Sequence, residues 1–471
     1  MPNRTTGRFM AAALAALSAA AVLAGEAGQV VYSTGAVSVQ QGSTMRMAGR
    51  GDSIQEGDVV TTGSKAYAVV ELKDGTRMTL RPDTVFGVSR FAHGAGEENA
   101  VLRLFKGGMR AVTGLIAKRN PQDGVRIDTA TATIGIRGTD FDARLCGTDC
   151  GEDARRGPAA VAQAVPASGS SAPVSPVAAR VALVKGELKA TGSDGNSRTV
   201  LAGGPIYSGD TLQTAGGSHA VLAFNDQSKV TLQSDTRFQV SDFRWDPARP
   251  KESSAFFSLL KGGLRAVTGL LGRSDPSRVK FETSVATIGI RGTGIDALCT
   301  GLCAEGRPPA GQARGPGDGL FVHAWQGQAE IRAGNRTFLV DTHRVLFFAA
   351  NTDRAIPLPQ LPAFLRDNTA PRPDGVQVNF QQLFGTQSRD ERQPGLYLTV
   401  RDGHVVLAQG ERRLDLGAGE SGFADPLGRE LVRLDRSPGF LQLDPFPRPD
   451  RLGERPPAPF RAPGGNDECE M

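Results

Sequence analysis

A ten-residue string, Lys106-Gly-Gly-Met-Arg-Ala-Val-Thr-Gly-Leu115, returns as Lys261-Gly-Gly-Leu-Arg-Ala-Val-Thr-Gly-Leu270, with Met109 against Leu264 the one change. Behind each copy stand the same eight residues, Ala132-Thr-Ile-Gly-Ile-Arg-Gly-Thr139 and Ala286-Thr-Ile-Gly-Ile-Arg-Gly-Thr293, and then a cysteine pair, Cys146/Cys150 and Cys299/Cys303. Repetition of that length and order is an internal duplication. The chain therefore has to contain at least two like units.

The local patterns say that these units are built of strands. Ala66, Ala68, Val70 and Leu72 alternate with Tyr67, Val69 and Glu71, and Asp74-Gly75 turns the chain into Met78-Thr-Leu80. The second copy repeats this as Ala220 to Phe224, Asn225-Asp226 and Val230-Thr-Leu232, and matches Phe86, Val88 and Phe91 with Phe238, Val240 and Phe243 as core positions. Val30 to Val39 reads as a strand pair turning at Thr34-Gly35, and Thr129 to Ile136 as one strand kinked at Gly135. The 59 glycines and 29 prolines, with only 6% aromatic residues, favour short strands and tight turns. The expected fold class is all-β, in sandwich-like or roll-like domains.

Arg4 and Arg8, the apolar run Phe9 to Leu23 and the small-residue Val22-Leu23-Ala24 together read as a secretory leader cleaved after Ala24. The run of about 15 residues is shorter than the roughly 20 that a membrane span needs, and no later run is longer. A periplasmic or secreted chain with no transmembrane segment after cleavage is the expectation. Removing the leader leaves 52 basic against 49 acidic residues, a net charge of +3, which is no nucleic-acid signature.

Lys-Gly-Gly-x-Arg-Ala-Val-Thr-Gly, the Thr-Ile-Gly-Ile-Arg-Gly-Thr segment and the upstream Gly57-Asp58-x-x-x-Thr-x-x-Ser64 resemble the FecR-type domain of Gram-negative bacteria. The resemblance covers roughly Gln29 to Cys150 and again Ala179 to Cys303. It implies an all-β periplasmic module, known best from the sensor arm of ferric-citrate signalling. The cytoplasmic anti-sigma segment and single membrane helix of the signalling members have no counterpart in this sequence.

A smaller repeat follows, in which Gly319-Leu-Phe-Val-His-Ala-Trp-Gln-Gly327 is matched by Gly395-Leu-Tyr-Leu-Thr-Val-Arg-Asp-Gly403. The order of units is thus A-A-B-B. The expected division is a leader at 1–24, A copies at 28–150 and 179–303, B units at 318–373 and 395–449, and a disordered tail at 450–471. Linkers rich in Pro, Gly and Ala are expected at 151–178, 304–317 and 374–394.

Candidate chemistry is sparse. Each Cys-x-x-x-Cys is expected to close on itself in an oxidising compartment, Cys146 with Cys150 and Cys299 with Cys303, against a four-thiolate zinc site joining the pairs as the sharper alternative. Cys469 is left over. Lys106, Gly107, Gly108 and Arg110, with Lys261, Gly262, Gly263 and Arg265, are read as architectural, the glycines for close backbone approach and the arginines for pairing with loop carboxylates or carbonyls. Arg137 and Arg291 carry the same reading. Histidines fall in no ligand pattern and no nucleophile, phosphate-loop or dinucleotide motif occurs, so no metal, cofactor or catalysis is expected. What remains is a binding or scaffold protein holding an outer-membrane protein or an envelope glycan, with a ferric-citrate-type regulatory sensor as the alternative.

Overall fold

The structure is a computed structural model that describes residues 25–94, 96–120, 123–147, 149–150, 177–303, 318–350, 354–442 and 448–450. The leader, most of the linkers at 151–178 and 304–317, the tail beyond 450 and Cys469 lie outside the described residues. Two fifteen-stranded sheets account for the strands of the described residues, and the fold is all-β.

The strands are not shared out as their order suggests. The strand Thr287–Thr300 of the second A copy pairs antiparallel with Gly319–Ala333, the first strand of the B unit that follows it. Its counterpart Thr133–Cys146 in the first A copy pairs with Gly395–Gln409, the first strand of the last B unit. Hence A and B are not four separate units. Each A copy is closed by a B hairpin, and the second closed unit is nested within the first. The physical reason is apolar: Leu396, Leu398, Val400, Val405, Leu407, Leu414 and Leu416 are buried in one continuous cluster with Val30, Ile54, Phe86, Leu104 and Phe141. At about 1.5 kcal/mol each, these seven side chains contribute on the order of 10 kcal/mol, too much for a small hairpin to leave in water.

The segment expected as a linker at 374–394 is also built in. It holds the short helix Phe380–Phe384, a bridge from Gln387 to Leu434, and the Val376 carbonyl that accepts a hydrogen bond from Lys229 Nζ at 2.9 Å. Two finer expectations change as well. Glu26–Thr34 and Val37–Gln41 are consecutive strands but do not pair: the first pairs with Ser53–Gln55 and Tyr67–Leu72, the second with Thr44–Met47 and Val59–Thr62. Thr129 to Ile136 is two strands, because Thr129 Oγ1 accepts from the amides of Thr131 and Ala132 and closes a turn between Val125–Thr129 and Thr133–Cys146.

Within each unit one long strand changes layers. Residues 97–106 of Glu97–Val112 pair with Val85–Gly94 and, in parallel, with Val125–Thr129, whereas residues 107–112 pair with Arg77–Leu80 and Thr133–Cys146. The turn between layers falls on Lys106-Gly107-Gly108. The neighbouring strands bend at the opposite end of the 107–112 segment, beyond the Val112–Asp140 pair, at Gly138 (φ 65°) and Gly403 (φ 83°); the second unit repeats this, with Gly262 at the first corner and Gly292 (φ 59°) and Gly327 (φ 68°) at the other. Sheet corners are made by strands that switch layers at a bulge or bend. The Lys-Gly-Gly motif thus carries one corner and the Thr-Ile-Gly-Ile-Arg-Gly-Thr motif the other.

Candidate functional site: the glycine corner and its groove

Which glycine turns the corner is settled by its backbone. Gly107 has φ 82° and Gly262 φ 78°, in the left-handed region that side chains resist. A Cβ on Gly107 would come within 2.5 Å of Thr84 Oγ1 and 2.7 Å of the Asp83 carbonyl, and on Gly262 within 2.6 Å of Thr236 Oγ1. Gly108 and Gly263 are not in that region, but they are clamped. Thr84 Oγ1 accepts from the Gly108 amide at 3.1 Å and donates to its carbonyl at 3.0 Å, and Thr236 does the same for Gly263 at 3.0 and 2.9 Å. A second threonine braces the first: Thr62 Oγ1 accepts from the Thr84 amide and donates to the Arg81 carbonyl, mirrored by Thr214 with Thr236 and Gln233. Sequence reasoning held Thr62 only as a letter of the Gly57-Asp58-x-x-x-Thr-x-x-Ser64 motif and missed Thr84 and Thr236. Their signal was the repeated Asp83-Thr84 and Asp235-Thr236.

The two motif strings lie side by side. Thr113 Oγ1 donates to the Thr139 carbonyl at 3.1 Å and accepts from the Thr139 amide at 2.6 Å. Arg110, buried, makes a two-pronged bond to Asp140 at 3.0 and 2.7 Å. Arg265, equally buried, lies 3.0 Å from Asp296 and donates to the Ala370 carbonyl at 2.7 Å. Lys106 and Lys261 are exposed at the corner. Cys146 is bonded to Cys150 and Cys299 to Cys303, each in its own unit. Among the described residues no group of three or more His, Cys, Asp or Glu side chains could hold a metal, and no helix is long and apolar enough to cross a membrane.

Arg137 sits elsewhere, in the contact between the units. It is half-buried near His404 and Asp415, and its Nη1 has no hydrogen-bond partner among the described residues. His404 Nε2 lies 2.9 Å from Asp415 Oδ1; burial holds the imidazole below its usual range, and the carboxylate is held low against burial by His404 and the nearby Arg180 and Arg137. Tyr207 of the second unit donates to the Gly403 carbonyl at 3.1 Å and accepts from the Ala418 amide at 2.8 Å, while Arg180 is ion-paired with Glu420. Burial beside Arg180 brings Arg433 down to about 10. For Arg291 only the backbone is described, in the strand that pairs with Gln328.

Above the corner of the second unit lies a groove of about 790 Å³. Lys261, Arg237, Asp235 and Glu282 supply two charges of each sign, Ser258 and Ser284 supply hydroxyls, and Cys303 closes one end, held there by Ser284 Oγ donating to its carbonyl at 2.9 Å. By strand register the first unit carries Val85 for Arg237, Arg103 for Ser258 and Phe105 for Leu260. Phe105 is 48% exposed, and its ring lies 3.1 Å from where Gly87 would carry a Cβ. The two corners share a frame but not a surface.

The family described as FecR protein matches residues 58–154 and again 210–303. Two crystal structures of a protein assigned as an anti-sigma factor from Parabacteroides distasonis ATCC 8503 are similar at 11% identity and a TM-score of 0.25, over 33% of this chain and 62% of that one. The likeness thus spans less than two thirds of those chains. A comparison with curated proteins gives no match.

Proposed function

Because the chain carries two FecR-type domains in tandem, we propose that it is a non-enzymatic binding module acting outside the cytoplasm, with the groove of the second unit as its contact site for an envelope protein or glycan. The observation that carries this reading is the groove itself. It is open, lined by charges of both signs and hydroxyls, and set on the glycine corner that Thr236 clamps. Such a surface suits recognition of polar, shaped partners. Disulfides in both units suit an oxidising compartment. The family match supports a second reading, a regulatory sensor of the ferric-citrate type in which the same groove takes the signal-bearing protein.

Affinity capture from envelope extract tests both readings, with the tagged chain and its Arg237→Glu/Lys261→Glu variant side by side. A partner held by the wild type and held at least about tenfold more weakly by the variant is the expected result. Its loss on protease treatment of the extract marks a protein, and its survival marks a glycan. A partner held equally by both forms would move the site off the groove.

A further inference from the structure

The duplication leaves the two closing hairpins equivalent in their main chains. Thr133 to Arg144 pairs with Ala408 to Tyr397, and Thr287 to Leu298 pairs with Arg332 to Phe321, in the same register and with shifts at the same two places. Tether length does not choose between them either. The 15 residues between Cys303 and Gly319 can span about 50 Å, more than the roughly 40 Å width of a unit this size. Something in the side chains has to tell the hairpins apart.

The difference is concentrated beside the motif arginine. In the second unit Gly294 has no side chain, and the Trp325 ring fills its place: a Cβ there would lie 2.0 Å from the ring. Trp325 is buried, the Arg372 guanidinium lies 3.9 Å from its ring centre, and Asp296 is left to Arg265 and His323. In the first unit Asp140 stands for Gly294, Arg401 for Trp325 and Arg81 for Gln233. There Arg110 takes Asp140, and the buried Asp142 is held by Arg81 at 2.6 Å and Arg401 at 2.5 Å. An exchanged pairing fails on both sides. Trp325 would be driven into the Asp140 carboxylate and would remove one cation from Asp142. Arg401 would leave the Gly294 recess empty and put a second guanidinium beside Asp296. Unpaired buried charge and emptied core space are the costly errors in a packed protein.

We propose that Gly294 with Trp325, and Asp140 and Asp142 with Arg401, are the recognition keys by which each unit selects its own closing hairpin and so enforces the nested arrangement. The test uses the full chain. Exchanging the hairpin keys alone, Trp325→Arg with Arg401→Trp, lowers the unfolding midpoint by about 10 °C or more. Exchanging the strand keys as well, Asp140→Gly with Gly294→Asp, recovers at least half of that loss, because the matched pairs are restored in opposite units. A double variant that melts with the wild type overturns the proposal, as does a fourfold variant no better than the double. Should neither chain fold, Gly294→Ala decides: it must lower the midpoint less in a Trp325→Leu background than alone, and equal losses overturn the keys.

Discussion

Ending the chain at Gly385 is expected to unfold the first unit and leave the second folded, although the residues removed lie some 240 positions beyond the strand they cover. The lost hairpin buries Leu396, Leu398, Val400, Val405 and Leu407 against the first unit's core, and with Leu414 and Leu416 it accounts for on the order of 10 kcal/mol. Whole domains are stable by only about 5–15 kcal/mol, so the remainder cannot hold. Asp142 would also lose Arg401 and keep Arg81 alone in an opened core. By contrast the second unit's main core is drawn from residues 178–348, all retained. Hydrogen exchange is the measurement: 26–146 should exchange as unfolded chain while 178–348 stays protected. Protection of both would mean that the hairpin is an accessory, not a wall.

Gly107→Val should be the most damaging point change in the first unit, with Gly262→Val its equal in the second. A β-branched residue at φ 82° costs upwards of about 1–2 kcal/mol in backbone strain. Its Cβ also meets Thr84 Oγ1 and the Asp83 carbonyl, and backbone cannot swing away as a side-chain end can. Displacing Thr84 breaks its paired bonds to Gly108, about 1 kcal/mol each. The sum is on the order of 4 kcal/mol, a fall in melting temperature of about 10 °C in a unit of this size. Gly135→Ala is the control, since a Cβ there meets nothing nearer than the Val406 carbonyl at 3.6 Å. Equal melting of Gly107→Val and Gly135→Ala would remove the corner from the account.

The sequence made the strands legible because apolar alternation in segments such as Tyr67–Leu72 is decided by neighbours close along the chain. It made the corner visible but not its pivot. In Lys-Gly-Gly either glycine can take a positive φ, and the choice falls to Gly107 because Thr84, in the turn before Val85–Gly94, holds Gly108 in extended backbone. The motif arginines show the same limit. Arg110 and Arg265 occupy one position in strings that differ at a single residue, yet one binds Asp140 and the other Asp296, since Gly294 replaces the first carboxylate. Hardest to read was the nesting. Gly395–Gln409 alternates suitably for either A copy, and the information that assigns it lies in pairs such as Gly294 with Trp325, meaningful only once the neighbours are known.

A cysteine cross-link between strand partners tests the nesting most directly. Thr133 and Ala408 face each other across the first unit's closing pair, both half-buried, while Arg332 holds the place of Ala408 in the other hairpin. In the full chain, Thr133→Cys with Ala408→Cys should close within one molecule under mild oxidation, and Thr133→Cys with Arg332→Cys should stay open. A link from position 133 to position 332, with none to 408, would contradict the nested fold.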